Sequence, residues 1–315
     1  MKSLIWRLVR LAHHADFRWF LPWIGKLPLP LAYMLADWRG RINAASGRDW
    51  RSVALGFRHI RRQSLLAYEE IGGSTSQRKQ WCKQRFVTEA RDEFEAQLLT
   101  ARRLHELNCT FEPTGIGTLF ANRSRGLVLL TPHFDSFYLG IAFLAQATGT
   151  RVNSMSSAVS SDPRADRAVS KHFEQKYRSL ETYLNGGKVP NIEDGMRPFY
   201  RMLERNETLV VLGDAPVLPN GATLNVTFLG GQRTLAGGAL RLAQKSGSDI
   251  GGFVCRMVRP GQYAVAWCEA GPANDPKSLQ RVYDLFNRSI LAAPGRWWGA
   301  DLLPHMPAAP PASNA

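Results

Sequence analysis

Histidine is the side chain best suited to move a proton near neutral pH, and His133 stands at a position where such chemistry is expected. It follows the short apolar run Leu127–Thr131 and a proline, and an apolar stretch with helical spacing begins at Ser136. This pattern predicts a buried strand, a turn and a helix, with His133 at the carboxyl end of the strand. Ligands of open α/β sheets bind at that edge. The position favours a general base, and the alternative is a histidine that only packs or caps.

Asp135 lies two residues after this histidine and has two possible roles. It can orient the imidazole and stabilise its protonated form, as the carboxylate of a catalytic triad does. It can also cap the predicted helix, because aspartate is preferred at that position, and Ser136 competes for this role. We expect Asp135 to act with His133.

Two further clusters carry charge near predicted strand ends and helix faces. Arg197 and Arg201 are four residues apart and share one face of a predicted helix. Paired arginines suit phosphate or phosphopantetheine groups, and a solvated basic face is the alternative. Asp214 follows a second short apolar run, residues 209–212, and so lies at another strand end.

The absence of several known motifs argues against other classes of enzyme. The chain has no G-x-S-x-G elbow and no P-loop, and residues 115–120 lack the third glycine of a dinucleotide fingerprint. No His, Cys or Asp cluster has the spacing of metal ligands, so we expect no metal. The four cysteines are far apart, which indicates reduced thiols in a protein that faces the cytosol. What remains is a direct transfer, in which a base activates a hydroxyl or amine to attack an activated acyl group.

Alternating strands and helices must position these residues, and they predict an α/β fold with a mixed sheet flanked by helices. Strands are predicted at 127–131, 152–155, 209–212, 250–258 and 263–268, and helices at 136–147, 163–177, 196–203, 235–246 and 279–292. Residues 50–107 are predicted to be helical, with a break at Ile71-Gly72-Gly73-Ser74.

The N-terminal region is basic and amphipathic. The net charge is +14, and residues 1–62 hold twelve Lys/Arg against three Asp/Glu. In residues 2–15, Leu4, Leu8 and Leu11 fall on one helical face, which is typical of a helix that lies in a membrane interface. The alternative is a helix packed on the protein's own core. Such charge suits anionic phospholipid or nucleic acid, and no nucleic-acid motif accompanies it.

No segment predicts a signal peptide or a spanning helix, because charges and prolines interrupt each apolar stretch. We therefore divide the chain into a basic amphipathic membrane-associating region (1–47), an α/β domain (48–306) and a disordered tail (307–315).

Several of these segments recur, in the same order, in one known family. They are Leu27 to Gly40, the strand leading to His133-Phe134 and Leu139-Gly140, the helix from Gly195-Met196-Arg197, the strand to Gly213-Asp214, the block from Phe228-Leu229-Gly230 to Gly247, and Pro294-Gly295-Arg296-Trp297-Trp298. Through them the chain resembles the bacterial lipid A biosynthesis (lauroyl/myristoyl) acyltransferases of the lysophospholipid acyltransferase superfamily.

The resemblance implies a basic membrane-docking face and an acyl chain lying in an apolar channel. It also implies transfer from an acyl carrier protein or coenzyme A to a hydroxyl or amine of a lipid or glycolipid, with no other cofactor. The protein would lie at the cytoplasmic face of the inner membrane, as a peripheral or monotopic protein. Arg197, Arg201, Asp214 and Tyr138 are then expected to contact the substrates.

The family's catalytic motif is a histidine followed five positions later by Glu or Asp. His133 matches the histidine, but the fifth position is Tyr138. Three explanations are open. Asp135 replaces the missing carboxylate, or Tyr138 assists by hydrogen bonding, or the protein has lost transfer chemistry and is a lipid-binding paralogue.

Overall fold

The computed structural model describes residues 2–57, 59–120, 123–157, 159 and 162–309. Their α-helices are α1 (Lys2–Ala15), α2 (Leu21–Ile24), α3 (Leu29–Ser46), α4 (Trp50–Ala54), α5 (Ile60–Glu70), α6 (Thr75–Thr100), α7 (Gly117–Phe120), α8 (Phe137–Thr148), α9 (Arg167–Glu181), α10 (Arg197–Glu204), α11 (Gly238–Lys245) and α12 (Pro276–Ala292). A π-helix, Asp16–Phe20, joins α1 to α2, and short 3₁₀ helices cover Leu104–Glu106, Ile192–Asp194, Pro294–Arg296 and Ala300–His305.

A six-stranded mixed sheet runs through the α/β part of the chain. The described residues form the strands β1 (Asn108–Glu112), β2 (Leu127–Thr131), β3 (Val152–Ser154), β4 (Thr208–Leu212), β5 (Thr223–Phe228), β6 (Gly231–Ala236), β7 (Asp249–Arg259) and β8 (Gln262–Pro272). Strands β5 and β6 pair with each other in a separate two-stranded sheet, and the other six form the mixed sheet. The sheet order is β1-β8-β7-β2-β4-β3, and only β7 and β8 pair antiparallel within it. The predicted mixed α/β fold is confirmed.

Strand β2 lies inside the sheet, between β7 and β4, and all five of its residues are buried. Leu127 and Leu129 face one hydrophobic core together with α8 and α9. Val128 and Leu130 face a second core with α10, α11 and α12. Because side chains alternate along a strand, a strand covered on both faces must be apolar throughout, and this explains the unbroken run before His133.

The N-terminal helices leave much apolar surface uncovered. On α1, Leu4, Leu8 and Leu11 are each more than half exposed, and so are Trp19 in the π-helix and Trp23 in α2. The predicted amphipathic helix is present, and its apolar stripe does not pack on the protein's own core. Within the described part of the chain, no helix combines the length and apolarity that a membrane span requires.

The helix-rich region between 50 and 107 follows the predicted break closely. Helix α5 ends at Glu70 and α6 begins at Thr75, where the Ser74 hydroxyl accepts from the Gln77 backbone N–H and Gln77 bonds back to Ser74. This reciprocal pair is a capping box.

The hairpin of β5 and β6 was not among the predicted elements. Its two-residue turn is Leu229-Gly230, and both residues have positive φ, 51° and 85°, the backbone of a type I′ hairpin turn. The helix predicted at 235–246 therefore begins only at Gly238, because Leu235 and Ala236 pair in β6.

The tail expected to be disordered, 307–315, is partly ordered. Pro307 accepts a backbone hydrogen bond from Thr234, and Ala309 donates one to Gln232, so residues 307–309 lie along β6. The rest of the predicted tail, 310–315, lies outside the described residues.

Candidate active site

His133 and Asp214 meet because their strands are neighbours. Strands β2 and β4 run parallel with Thr131 beside Leu212, and His133 and Asp214 each lie two residues beyond those strand ends. The imidazole Nδ1 lies 2.8 Å from Asp214 Oδ1, and the His133 backbone N–H donates to Asp214 Oδ2 at 2.8 Å. Two strand ends that are 81 residues apart in sequence thus form one histidine–carboxylate pair.

The Asp214 carboxylate is fully buried and stays ionised. Burial, the strongest single influence, raises the pKa of Asp214. The charge of His133 and its hydrogen bonds, with a third bond from Trp297 Nε1 at 2.8 Å, outweigh burial and hold the pKa of Asp214 below its ordinary value. An ionised carboxylate only accepts hydrogen bonds, so Nδ1 of His133 carries the proton that it shares with Asp214.

The second ring nitrogen of His133 is therefore the basic one. With the proton on Nδ1, Nε2 carries the lone pair, and no described residue donates a hydrogen bond to it. The imidazole is 17% exposed. The ring of Trp298 lies edge-on at 4.7 Å between centroids, and Phe137 lies at 6.0 Å. The arrangement is a proton acceptor in a largely apolar setting with limited access to water.

The segment after α12 forms the back wall of this pair. Trp297 makes an isolated antiparallel bridge with Phe134, and the Gly299 backbone N–H donates to the His133 carbonyl oxygen at 3.3 Å. A Cβ at Gly299 would lie 2.8 Å from His133 Cβ and 3.0 Å from Asp214 Oδ2. Only glycine allows this close approach.

Asp135 does not orient the imidazole, and that expectation is corrected. Its backbone is left-handed, with φ of 43°, and its carboxylate is directed towards β7. Oδ2 accepts from the Met257 backbone N–H at 3.0 Å and from Arg296 Nη1 at 2.9 Å. Burial raises the pKa of Asp135, and the charge of Arg296 opposes this only in part. Asp135 thus holds the turn that follows His133 against β7 and the C-terminal segment.

The expected capping of α8 by Asp135 or Ser136 is also not observed. Ser136 precedes α8, but its hydroxyl donates to Glu95 Oε1 at 3.0 Å and caps no backbone N–H.

Tyr138 is buried in α8 and makes its hydrogen bond elsewhere than with His133 or Asp214. Its hydroxyl donates to the Lys176 carbonyl oxygen, and the Lys176 ammonium lies 4.3 Å from the centre of its ring. Lys176 also pairs with Asp92 at 2.5 Å. Burial raises the pKa of Tyr138 well above its ordinary value. Tyr138 therefore packs against a buried ion pair, and the carboxylate that accompanies the histidine is Asp214.

Arg197 and Arg201 lie on α10 and are exposed. Neither arginine makes an ion pair with a residue that the structure describes. They are available to an anionic ligand, but no contact joins them to the histidine.

Two polar atoms near His133 are buried without a hydrogen-bond partner among the described residues, Thr131 Oγ1 and Trp298 Nε1. An unpaired buried donor is costly, so such atoms are candidates for substrate contacts.

An apolar cavity of about 900 Å³ lies among the N-terminal helices. Its apolar lining includes Trp19, Phe20, Trp23, Trp38, Ile42, Trp50 and Val53. Asp49 in the same wall pairs with Arg85 at 3.1 Å, and Arg85 Nε donates to the Trp298 carbonyl oxygen at 3.0 Å. Arg85 thus connects the cavity wall to the residue that packs on His133.

The role of Asp214 and the contribution of Trp297 and Gly299 were missed from the sequence. The strand-end position of Asp214 was visible, and it was assigned to substrate. The order of the strands in the sheet, which makes β2 and β4 neighbours, has no local signal.

Comparisons with known proteins identify a family. The family model of the bacterial lipid A biosynthesis acyltransferases matches residues 72–298, a range that contains His133, Asp214 and Trp297. One similar solved structure is the 1-acyl-sn-glycerophosphate (LPA) acyltransferase PlsC from Thermotoga maritima. It is 12% identical, the match covers 86% of this chain and 99% of that one, and the TM-score is 0.38. The comparison with curated proteins finds no match.

Proposed function

This chain belongs to the bacterial lipid A biosynthesis acyltransferase family and is an acyltransferase, and we propose that it transfers a fatty acyl chain from acyl carrier protein or coenzyme A to a hydroxyl or amine of a lipid or glycolipid. The observation that supports this reaction is the pair formed by His133 and Asp214, with Nδ1 and Oδ1 2.8 Å apart. It supplies a base and a carboxylate although Tyr138 occupies the position of the family's usual carboxylate.

The proposed reaction has one nucleophile and no covalent enzyme intermediate. Nε2 of His133 takes the proton from the acceptor hydroxyl or amine as that atom attacks the thioester carbonyl carbon. The new C–O or C–N bond forms and the C–S bond breaks. The imidazolium returns the proton to the leaving sulfur, which departs as a thiol. Asp214 stabilises the imidazolium in between and keeps Nε2 as the basic nitrogen.

The developing negative charge on the carbonyl oxygen needs hydrogen-bond donors. We assign this role to backbone N–H groups at the sheet edge and to the unpaired indole N–H of Trp298. Trp298 already contacts the imidazole ring, so its donor lies beside the reacting groups.

The two substrates would use other features of the protein. Both candidate donors carry a phosphopantetheine arm, and the exposed Arg197 and Arg201 suit its phosphate. The apolar cavity of about 900 Å³ suits the fatty chain of a lipid.

The exposed stripe of α1 supports docking at the cytoplasmic face of the inner membrane, as a peripheral or monotopic protein. Leu8→Glu with Leu11→Glu is expected to weaken binding to phosphatidylglycerol vesicles at least tenfold, because burying each leucine is worth about 1.5–3 kcal/mol. Leu66→Glu with Leu291→Glu, on α5 and α12 and 43% and 49% exposed, adds the same two negative charges as the matched control and should leave binding unchanged. Equal binding by all three proteins would contradict docking through α1.

The reaction is tested by single-turnover loss of acyl groups from acyl carrier protein and from coenzyme A, with membrane extract of the source cells as acceptor. Wild type should transfer, and His133→Ala should lose nearly all transfer. Full activity of His133→Ala would refute the mechanism. Absence of wild-type transfer from both donors, with the native acceptor present, would favour the lipid-binding paralogue.

A further inference from the structure

A second, basic pocket lies where the π-helix meets α9. It has a volume of about 360 Å³ and is lined by His14, Arg18, Arg167, Ala168 and Lys171. Arg18 comes from the π-helix, while Arg167 and Lys171 are one turn apart on α9. Three positively charged side chains therefore converge on one concave surface. They come from two helices, and Arg18 and Arg167 are 149 residues apart in the sequence.

None of these three cations is neutralised by a residue that the structure describes. Asp166, which directly precedes Arg167, is already engaged. It accepts from the backbone N–H groups of Ala168 and Val169 at 2.8 and 3.3 Å, and it lies 3.3 Å from His14. Like charges one helical turn apart repel each other. A bound anion would remove that repulsion.

The opposite half of α9 shows the contrast. Arg178 pairs with Glu174 at 2.6 Å, and Lys188, beyond the helix, pairs with Glu181 at 3.2 Å. Positive side chains in this region have acidic partners at one end of the helix and lack them in the pocket at the other end.

The basic pocket adjoins the exposed apolar face of the N-terminal helices. Trp19 follows Arg18 directly, is 64% exposed, and its ring lies 6.3 Å from that of His14. Leu11, one turn before His14, is also 64% exposed. Tryptophan beside basic side chains is the arrangement found at the level of lipid headgroups.

We propose that Arg18, Arg167 and Lys171 bind the phosphate of a membrane phospholipid headgroup, while its chains stay in the bilayer beside Trp19. Arginine forks match phosphate oxygens in pairs, and lysine adds a point charge. A phosphomonoester, with its higher charge, fits three cations better than a phosphodiester. This inference rests on the docking through α1 proposed above and is independent of the acyl-transfer chemistry.

The test compares vesicles that differ in anion and not in charge. The matrix is digalactosyldiacylglycerol, which has no phosphate, and it carries either phosphatidic acid or oleate at equal zeta potential. Full-length wild type is compared with Arg167→Gln/Lys171→Gln and with the control Arg178→Gln/Lys188→Gln. Both variants lose two positive charges. Arg178 lies about 16 Å along the helix from Arg167, beyond the screening length of about 8 Å at physiological salt.

Wild type should prefer phosphatidic acid vesicles. The pocket variant should lose at least about 20-fold in affinity for them, because each charge-assisted hydrogen bond to the phosphate that it removes is worth about tenfold or more. On oleate vesicles it should lose no more than the control variant loses, since both variants remove two surface charges, and the control should keep the preference. Thermal denaturation checks that both variants are folded.

Other outcomes would overturn the site in distinguishable ways. Equal wild-type binding to the two vesicles, or a preference that survives in the pocket variant, would refute the phosphate site and leave docking intact. Wild-type binding to neither vesicle would refute both. Binding of inorganic phosphate by calorimetry, together with no preference between vesicles, would show a site for a soluble phosphate instead of a lipid.

Discussion

Asp214→Asn keeps the shape of the side chain and is expected to abolish most of the activity by reversing the imidazole tautomer. Oδ2 accepts from two donors, the His133 backbone N–H and Trp297 Nε1, both at 2.8 Å. The amide oxygen of asparagine satisfies both donors only from that position, which turns its NH₂ group towards Nδ1 of His133. Nδ1 must then accept, the proton moves to Nε2, and Nε2 can no longer take a proton from the acceptor.

The size of this loss follows from the same logic in catalytic triads, where the equivalent change lowers kcat about 10⁴-fold while the geometry is kept. We expect a loss of about 10³–10⁴-fold, which corresponds to about 4–5.5 kcal/mol in the activation barrier. The assay is single-turnover acyl loss from both donors with membrane extract as acceptor.

Asp135→Asn separates the two candidate carboxylates. It changes a buried carboxylate in the same turn, but one that binds Arg296 and Met257 and not the imidazole. We expect it to retain transfer within about tenfold, and the exposed Asp194→Asn to match wild type. The reasoning is refuted if Asp214→Asn keeps more than one-tenth of the rate, or if Asp135→Asn loses more than Asp214→Asn while both remain folded.

Three further predictions concern the surroundings of the pair. Gly299→Ala should lower kcat about 100-fold with little change in KM in steady-state kinetics, because the new Cβ would lie 2.8 Å from His133 Cβ and displace the ring. Trp297→Phe removes a hydrogen-bond donor to Asp214. Because the pKa of Asp214 is lowered in the folded protein, its ionised form stabilises the fold above about pH 4, and this stabilisation is lost as pH falls through the lowered pKa. The substitution should lower the free energy of unfolding at pH 7 by roughly 1.5–3 kcal/mol in urea denaturation, with a smaller loss in acid. Burial raises the pKa of Glu95 to about 8. Between about pH 4.5 and 8, Glu95 is therefore protonated in the folded protein and ionised in the unfolded chain. Stability should fall as pH rises in that window, by at most about 1.4 kcal/mol per pH unit, and Glu95→Gln should flatten the urea-denaturation profile.

Each of these has an outcome that would contradict it. A wild-type kcat in Gly299→Ala would mean that the backbone around residue 299 shifts to accommodate the new Cβ without moving the imidazole. An unchanged acid limb in Trp297→Phe would mean that the indole donor contributes little to the ionised state of Asp214. A profile of Glu95→Gln as steep as that of wild type would assign the pH dependence to another buried group.

Much of the framework was predictable because it depends on local pattern. The run Leu127–Thr131 is apolar at every position, as a strand covered on both faces must be, and the strand found has those same bounds. The stripe of Leu4, Leu8 and Leu11 needs only the helical period, and the structure leaves that stripe exposed. The family followed from segments in a fixed order, and the family model matches residues 72–298.

Elements whose formation depends on distant pairing were not predictable in this way. Strand β1 is short and alternates in burial, and it forms because β8, more than 140 residues later, offers a parallel partner. The hairpin of β5 and β6 has a non-glycine residue, Leu229, at positive φ, so its turn lacks the usual Asn-Gly signal.

The choice between the two carboxylates shows most clearly what each level decides. The sequence alone put His133 and Asp214 at strand ends and assigned Asp214 to substrate, and nearness along the chain favoured Asp135 as the partner of the imidazole. Only the tertiary structure decided for Asp214, because the order of strands makes β4 the neighbour of β2, and because the left-handed backbone of Asp135 directs its carboxylate to Met257 and Arg296. Sequence separation does not determine distance at a sheet edge, since hydrogen bonding between strands that are far apart in the chain determines which residues meet there.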